Sequence, residues 1–224
     1  MKQVAWQAIQ AHWETIWMTH ETLDDWELLA SLQTVILYAI LRATAAEEIL
    51  DLDNDLIGVG GTSARDFDLS SLVAFSHVAQ AIAWRVGGRR GMEATNTSHT
   101  TSWEKWIFEE ARRRCVIVFR VLNLVYDLSD AVSCSGMPGF VIVPLQMPER
   151  LWMAQDAESW AVSFEEVWQE RAIRGVDKGG RLMKLRMLEG EGRRMNEAVD
   201  SWAGWCVQNG MLGMLAASAA LLLQ

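Results

Sequence analysis

The distribution of proline is the feature that most constrains the fold of this chain. All three prolines lie between Pro138 and Pro148, so residues 1–137 and 149–224 contain none. Proline breaks helices because it lacks an N–H group and its ring clashes with the preceding turn. Long proline-free stretches on both sides of one short segment therefore favour helices. We predict an all-α fold, a single multi-helix domain of about seven to eight helices over residues 1–224.

Apolar residues recur at spacings of three and four along the first proline-free stretch, as they do on the buried face of a helix. This pattern predicts a helix between Thr22 and Glu48, opened by the capping-box signal "TLDD". It predicts a second helix from about Ser70 to the glycine pair that begins at Gly87. A third helix, of roughly 25 residues, is predicted to open at Thr101 with the capping signal "TSWE".

The second proline-free stretch carries further helical signals. One helix is predicted from about Glu158, and one or two more over residues 180–207. No charged residue follows Asp200, which suits a buried helix from Met211 to Leu223 after a break at Gly210. A membrane anchor needs ~20 mostly apolar residues, and the glycines and polar residues of this segment argue against one. We expect no membrane association.

Two segments lack helical periodicity. Residues 88–102 are polar and glycine-rich, and we predict an exposed loop there. Residues 132–148 contain all the prolines and several glycines, and they predict a crossover segment packed on the helices. Its "FVIV" is compatible with an extended strand.

Net charge and cysteine usage exclude several classes of protein. The formal net charge is −9 at pH 7, and an acidic chain repels a phosphate backbone, so we expect no direct nucleic-acid contact. Three scattered cysteines, at positions 115, 134 and 206, are typical of a reduced intracellular protein, nuclear or cytoplasmic. The N-terminus lacks the pattern of a signal peptide.

Candidate chemical motifs fail on spacing. The histidines and cysteines are too far apart in sequence for a local zinc site. The acidic run from Asp51 to Gly58 lacks the glycine and the final glutamate of a calcium loop, and Gly58 to Ser63 lacks the lysine of a phosphate loop. We therefore predict no catalytic residue, no metal site and no cofactor. A catalytic site assembled from distant positions remains an alternative.

The stretch "WEKWIFEEARRRC", residues 103–115, lies on the third predicted helix. Its three consecutive arginines point about 100° apart around a helix, so they cannot form one basic stripe. Glu109 and Arg113 are four residues apart, as are Glu110 and Arg114, with each glutamate first in the favourable order. We predict that one arginine turns toward the core and pairs with Glu110.

Three stretches together resemble the regulatory, or middle homology, region of fungal zinc-cluster transcription factors. "WEKWIFEEARRRC" is similar to its "W-x-x-W-I-x-x-E-x-R-R" segment. "LLASLQTVILYAILRA" upstream and "VPLQMPERLWMAQDAESW" downstream resemble two further segments of the family, in the same order. The matching positions, most of them expected to be structural, are Gln33, Tyr38, Arg42, Trp103, Trp106, Glu110, Arg112, Arg113, Leu151, Trp152 and Trp160.

The resemblance implies an all-helical regulatory region that controls an attached DNA-binding module and responds to small molecules or partner proteins. The family's DNA-binding module is a binuclear zinc cluster of six closely spaced cysteines, which three scattered cysteines cannot form. We therefore expect a regulatory domain without its own DNA reader. Its expected partners are another protein or an attached DNA-binding module, and an apolar small-molecule effector.

Two alternatives stay open at the level of sequence. One is a small helical protein of specialised metabolism that binds or converts an apolar small molecule. The twelve tryptophans and eleven methionines suit such a pocket, and they suit an ordinary core equally well. The other is a homodimer that forms through an exposed apolar face of the helix from Met211 to Leu223.

Overall fold

The computed structural model describes residues 2–53, 78, 81–82, 85, 102–125, 139–168, 172–187, 194–198 and 201–224. In chain order its elements are α1 (Lys2–Thr19), α2 (Asp25–Asp53), α3 (Trp103–Val125), β1 (Phe140–Ile142), α4 (Glu149–Trp152), α5 (Ala157–Trp168), β2 (Ala172–Asp177), β3 (Leu182–Met187), β4 (Arg194–Ala198) and α6 (Trp202–Leu221). The chain divides into two compact units, one of Met1–Val86 with Leu128–Val132 and one of Gly87–Asp127 with Ser133–Gln224.

The first unit contains α1 and α2, which meet at a short turn. A capping box opens α2, because the Glu27 N–H donates to Asp24 Oδ1 (2.9 Å) and the Asp24 N–H donates to Glu27 Oε2 (2.9 Å). The predicted helix is thus confirmed, with its capping box two residues later in sequence than "TLDD" suggested. Across the two helices, His12 Nδ1 lies 2.7 Å from the Tyr38 hydroxyl.

Arginine 85 ties a further helical segment to the turn between α1 and α2. Its guanidinium donates to the carbonyl oxygens of His20 and of Leu23, the latter at 3.3 Å. Residues 78, 81, 82 and 85 are helical, and Val78 and Ile82 are buried. The rest of the helix predicted from Ser70 lies outside the described residues, as does the predicted loop 88–102 except for its last residue.

The second unit contains a four-stranded antiparallel sheet in the order β1-β2-β3-β4. The strand β1 confirms that "FVIV" is extended, and the described part of the predicted crossover runs from β1 to α4. The sheet corrects two predictions: the described part of the chain is mostly helical but not all-α, and the described residues between 180 and 207 belong to strands as well as to a helix. The predicted number of helices concerns the whole chain and stays a prediction.

A tight turn from Asp177 to Arg181 connects β2 and β3 into a hairpin. Asp177 Oδ1 accepts the N–H groups of Gly179 and Arg181, both at 2.9 Å, and Gly180 adopts φ +71°. A turn followed by a glycine with positive φ is a common three-residue connection in hairpins, because its backbone twist matches that of antiparallel strands. A Cβ at position 180 would collide with the Ala220 carbonyl oxygen, so the turn lies directly against α6.

The helix α6 is broken once, at Gly210. Its φ of 59° and ψ of −149° lie in a region that is essentially restricted to glycine, which confirms the predicted break. The following segment buries one side formed by small residues, Gly213, Ala216, Ala219 and Ala220. The alanines pack on a core that α3, the sheet and α6 share, built from Ile117, Val121, Ile142, Leu145, Val176, Leu182 and Trp205.

Candidate functional site

Glu110 is the centre of the candidate site. It lies in the middle of α3, and none of its surface is exposed. Its Oε2 pairs with Arg113 Nη1, and its Oε1 accepts Arg114 Nε at 3.1 Å and the backbone N–H of Met147 at 3.0 Å. A buried carboxylate is tolerated only when opposite charges and hydrogen bonds satisfy it, and Glu110 has both. The carboxylate therefore fastens the segment before α4 to α3.

The three consecutive arginines pair with two glutamates. Arg112 donates from Nε and Nη2 to Glu109 Oε2, at 3.2 and 2.6 Å, while Arg113 and Arg114 both pair with Glu110. The predicted Glu110–Arg114 pair is confirmed, but Glu109 pairs with Arg112 rather than with Arg113. One turn of helix brings residues three apart as close as residues four apart, so spacing alone did not decide the choice. Arg112 and Arg113 are both buried, one more than predicted.

Two opposing effects set the pKa of Glu110. Burial disfavours the charged carboxylate, and this desolvation raises the pKa of Glu110 above its ordinary value. The guanidinium groups of Arg113 and Arg114 and the Met147 N–H oppose the rise, because each stabilises the ionised form. The Glu110 carboxylate can thus be buried only together with its ion pairs, and removing one partner would leave an unpaired charge in the interior.

An aromatic cluster surrounds one side of this charge network. Trp106 from α3, Leu151 from α4, and Trp160 and Phe164 from α5 are all buried together. The Trp160 ring lies 5.8 Å from the Trp106 ring and stacks on Phe164 at 4.6 Å, and Trp168 continues the stack at 5.8 Å from Phe164. Aromatic pairs at these distances contribute about 0.5–1.5 kcal/mol each beyond the area they bury.

The indole N–H groups of this cluster differ from expectation. Buried tryptophans usually donate to an acceptor, as Trp202 does to the Gly180 carbonyl oxygen at 3.1 Å. The Nε1 atoms of Trp106 and Trp160 have no hydrogen-bond partner among the described residues. Within the described part of the chain, Trp106 and Trp160 therefore stabilise the cluster by ring packing.

The structure brings together the positions of two of the three resembling segments. Trp103 is half-buried and packs on the aromatic cluster, and the Arg114 guanidinium lies 4.4 Å above the Trp152 ring, a cation–π contact. The third segment belongs to the other unit. There Gln33 is exposed and Tyr38 is half-buried beside His12, while the side chain of Arg42 lies outside the described residues.

Sequence reasoning missed three contributors to the site. Met147 takes part through its backbone, 37 residues from Glu110, and no local pattern indicates that contact. Phe164 and Trp168 follow Trp160 at spacings of four, a helical periodicity that could have identified them. Their helix begins at Ala157, one residue before the predicted start, and Asp156 Oδ1 caps it by accepting the Ser159 N–H at 2.7 Å. Hydrogen bonds from the backbone and the side chain of Ser159 lower the pKa of Asp156 below its ordinary value.

The chemistry of this arrangement is that of a fixed counter-charge. A general base must reach the proton that it removes, and Glu110 is enclosed and engaged by three N–H donors. Within the described part of the chain, no group of three or more histidine, cysteine, aspartate or glutamate side chains is placed to hold a metal ion. No described helix is both long and apolar enough to cross a bilayer.

No family model, curated protein or solved structure matches the chain. The resemblance to fungal regulatory regions therefore rests on the residues quoted above.

Proposed function

We propose that this chain is a regulatory domain of the kind found in fungal zinc-cluster transcription factors, without a DNA-binding module of its own. Such a domain acts through another protein or an attached DNA-binding module, and it responds to an apolar effector. The proposal implies a nuclear or cytoplasmic location. It requires no catalytic residue and no cofactor.

One observation carries the proposal. The two resembling segments from Trp103 to Arg113 and from Leu151 to Trp160 are separated by 37 residues in sequence, yet four of their matching side chains form one packed cluster: Trp103, Trp106, Leu151 and Trp160. Trp106, Leu151 and Trp160 share a core, and Glu110 holds the backbone of Met147 a few residues before Leu151. Residues that match a family motif by chance have no reason to be in contact, so the packing supports the resemblance.

The sheet limits which part of the chain supports the proposal. A four-stranded antiparallel sheet departs from the all-helical region that the resemblance implies. The support therefore comes from α3, α4 and α5, the elements that carry the matching residues.

A transcriptional reporter tests the proposal directly. Residues 1–224 are fused to a heterologous DNA-binding module in a fungal reporter strain, and reporter output is compared with that of the module alone at equal abundance. We expect the fusion to raise or lower output. Trp160→Ala should abolish the effect, because it empties the aromatic cluster. Val162→Ala on the same helix, where the side chain is exposed, is the matched control and should keep the effect.

A ligand panel provides the second readout. Thermal unfolding is measured with apolar metabolites, and a ligand at a hundred times its dissociation constant raises stability by about 2.7 kcal/mol. A compound that shifts both the melting temperature and the reporter output supports an effector role. A compound that shifts the melting temperature, together with a fusion that leaves reporter output unchanged, would favour a ligand-binding protein or enzyme over the proposal. A fusion that leaves reporter output unchanged and a chain that binds no compound would leave the proposal without support.

A further inference from the structure

We propose that Arg114 and Trp152 form a binding site for a small organic molecule that carries one carboxylate on an apolar body. The Cζ atom of Arg114 lies 4.4 Å from the centre of the Trp152 ring. The site gives a chemical class to the effector of the proposed function, and to that extent it rests on that proposal. Binding at the site is measured without the reporter, so the two can fail separately.

The charges of the arginine network do not balance. Arg112 pairs with Glu109 alone. Arg113 and Arg114 share the single carboxylate of Glu110. At most 17% of any of the three arginine side chains is exposed, so water solvates little of their charge. Among the described residues, these ion pairs therefore leave one largely buried positive charge without a negative partner.

This excess charge is most accessible at Arg114. Its Nε donates to Glu110, whereas its Nη2 is buried and has no hydrogen-bond partner among the described residues. The Nη1 of Arg112 likewise has none there, but Arg112 is more deeply buried and has a carboxylate to itself. Beside Arg114, the Trp152 side chain is 37% exposed. A ligand can therefore approach the Arg114 guanidinium group along the Trp152 ring.

The neighbouring aromatic cluster adds apolar surface and further donors. Trp152 follows Leu151, which packs with Trp106 and Trp160 in that cluster. The two buried indole N–H groups have no acceptor among the described residues. Since buried polar groups are normally hydrogen-bonded, this part of the molecule has donors in excess of acceptors. A ligand with an acceptor-rich head group and an apolar body corrects that imbalance.

The size of the excess charge selects a carboxylate as the head group. One carboxylate balances one guanidinium group and matches its planar fork of N–H donors. A phosphate monoester carries about −1.5 to −2 charges at pH 7 and would overbalance the site. A nucleic acid is repelled by the formal net charge of −9 on the whole chain.

Isothermal titration calorimetry of the full chain with phenylacetate and with indole-3-acetate tests the site, at constant ionic strength. We expect dissociation constants of about 1 mM or below, the range open to ligands of about ten to thirteen non-hydrogen atoms. Phenylacetamide and indole-3-acetamide have nearly the same shape without the charge. They should bind at least about tenfold more weakly, because a hydrogen bond to a charged group is the stronger one.

Arg114→Gln should weaken the binding of both acids at least about tenfold, because it removes the unbalanced charge. Arg150→Gln is the matched control. It removes the same charge from α4, where Arg150 pairs with Glu166 at the surface, and it should leave binding unchanged. Melting temperatures show whether the variants fold. If Arg114→Gln does not, Arg114→Lys takes its place; it keeps the charge, loses the planar fork and should weaken binding less.

Three results overturn the proposal. They are no binding of either acid up to about 5 mM, equal affinities for acids and amides, and equal losses in the Arg114 and Arg150 variants, which would trace binding to net charge. Acids that bind at Arg114 while the fusion leaves reporter output unchanged would retain the site and remove the proposed function. A fusion that changes reporter output, in a chain that binds neither acid, would do the reverse.

Discussion

At the scale of single residues, the dominant feature is the fully buried carboxylate of Glu110. It is acceptable in the interior only because Arg113, Arg114 and the Met147 N–H all point at it. The three interactions form one unit, so the loss of the carboxylate charge affects the buried guanidinium group of Arg113 and the half-buried one of Arg114 at once.

Glu110→Gln should therefore be strongly destabilising. We expect a loss of about 3–5 kcal/mol in the free energy of unfolding, the usual cost of leaving a buried charge without its partner. Urea denaturation measures it. Glu166→Gln is the matched control, because its ion pair with Arg150 (2.9 Å) is exposed on both sides, and it should cost less than about 1 kcal/mol. Equal losses in the two variants would show that the Glu110 network contributes no more than a surface pair.

At the scale of elements, the β2–β3 hairpin and α6 depend on each other. The Trp202 indole donates to the Gly180 carbonyl oxygen at 3.1 Å, and Gly180 itself lies against the Ala220 backbone. The turn thus fixes the position of the last helix as well as the register of two strands.

Gly180→Ala should disrupt this contact. An alanine at position 180 would be strained at φ +71° and would collide with the Ala220 carbonyl oxygen, so we expect a loss of at least about 2 kcal/mol by urea denaturation. Gly179→Ala, one residue earlier, meets nothing closer than 3.5 Å and should cost less than about 1 kcal/mol. A Gly180→Ala variant as stable as Gly179→Ala would contradict the close approach of the turn and α6.

The turn also predicts a dependence of stability on pH. Burial alone would raise the pKa of Asp177, but the backbone and side-chain hydrogen bonds of Arg181 and the Gly179 N–H hold that pKa below its ordinary value. A carboxyl whose pKa is lowered by folding adds stability above its unfolded pKa of about 3.9, and the addition is lost as the pH falls through the folded value.

Asp177→Asn should thus be less stable than wild type at pH 7, by about 1–3 kcal/mol, and the difference should shrink as the pH falls below about 4. Urea denaturation at pH 7 and at several values between about 4 and 2 measures the difference. A difference that stays constant over this range would contradict an ionic role for Asp177.

At the scale of the whole molecule, the chain divides into two compact units. Glu110, Asp177 and α6 belong to the second unit, while α1 and α2 belong to the first. The prediction of one domain over residues 1–224 stays a prediction, because compact units in one chain can unfold together or separately.

Calorimetry of the Glu110→Gln variant decides between these cases. If the two units unfold separately, the wild-type chain shows two transitions and the substitution lowers only the transition of the second unit, whose core contains Glu110. A single transition that moves as a whole would instead establish one cooperative domain.

The sequence by itself determined the features that depend on neighbours in the chain. The helix at α2, the break at Gly210, the start of α5 and the Glu110–Arg114 pair follow from capping, glycine conformation and helical spacing, all of which act within about one turn. The β2–β3 turn also had a local signal, "DKGG", that the helical interpretation of residues 180–207 overlooked.

Tertiary structure alone decided the rest. Leu182, Leu185 and Met187 fit a helix as well as a strand, and pairing with β2 and β4 selects the strand. Likewise, the contact of Glu110 with Met147 and the meeting of Trp106 with Trp160 join residues far apart in sequence. Such contacts depend on how elements pack around a shared core, and local periodicity carries no information about that packing.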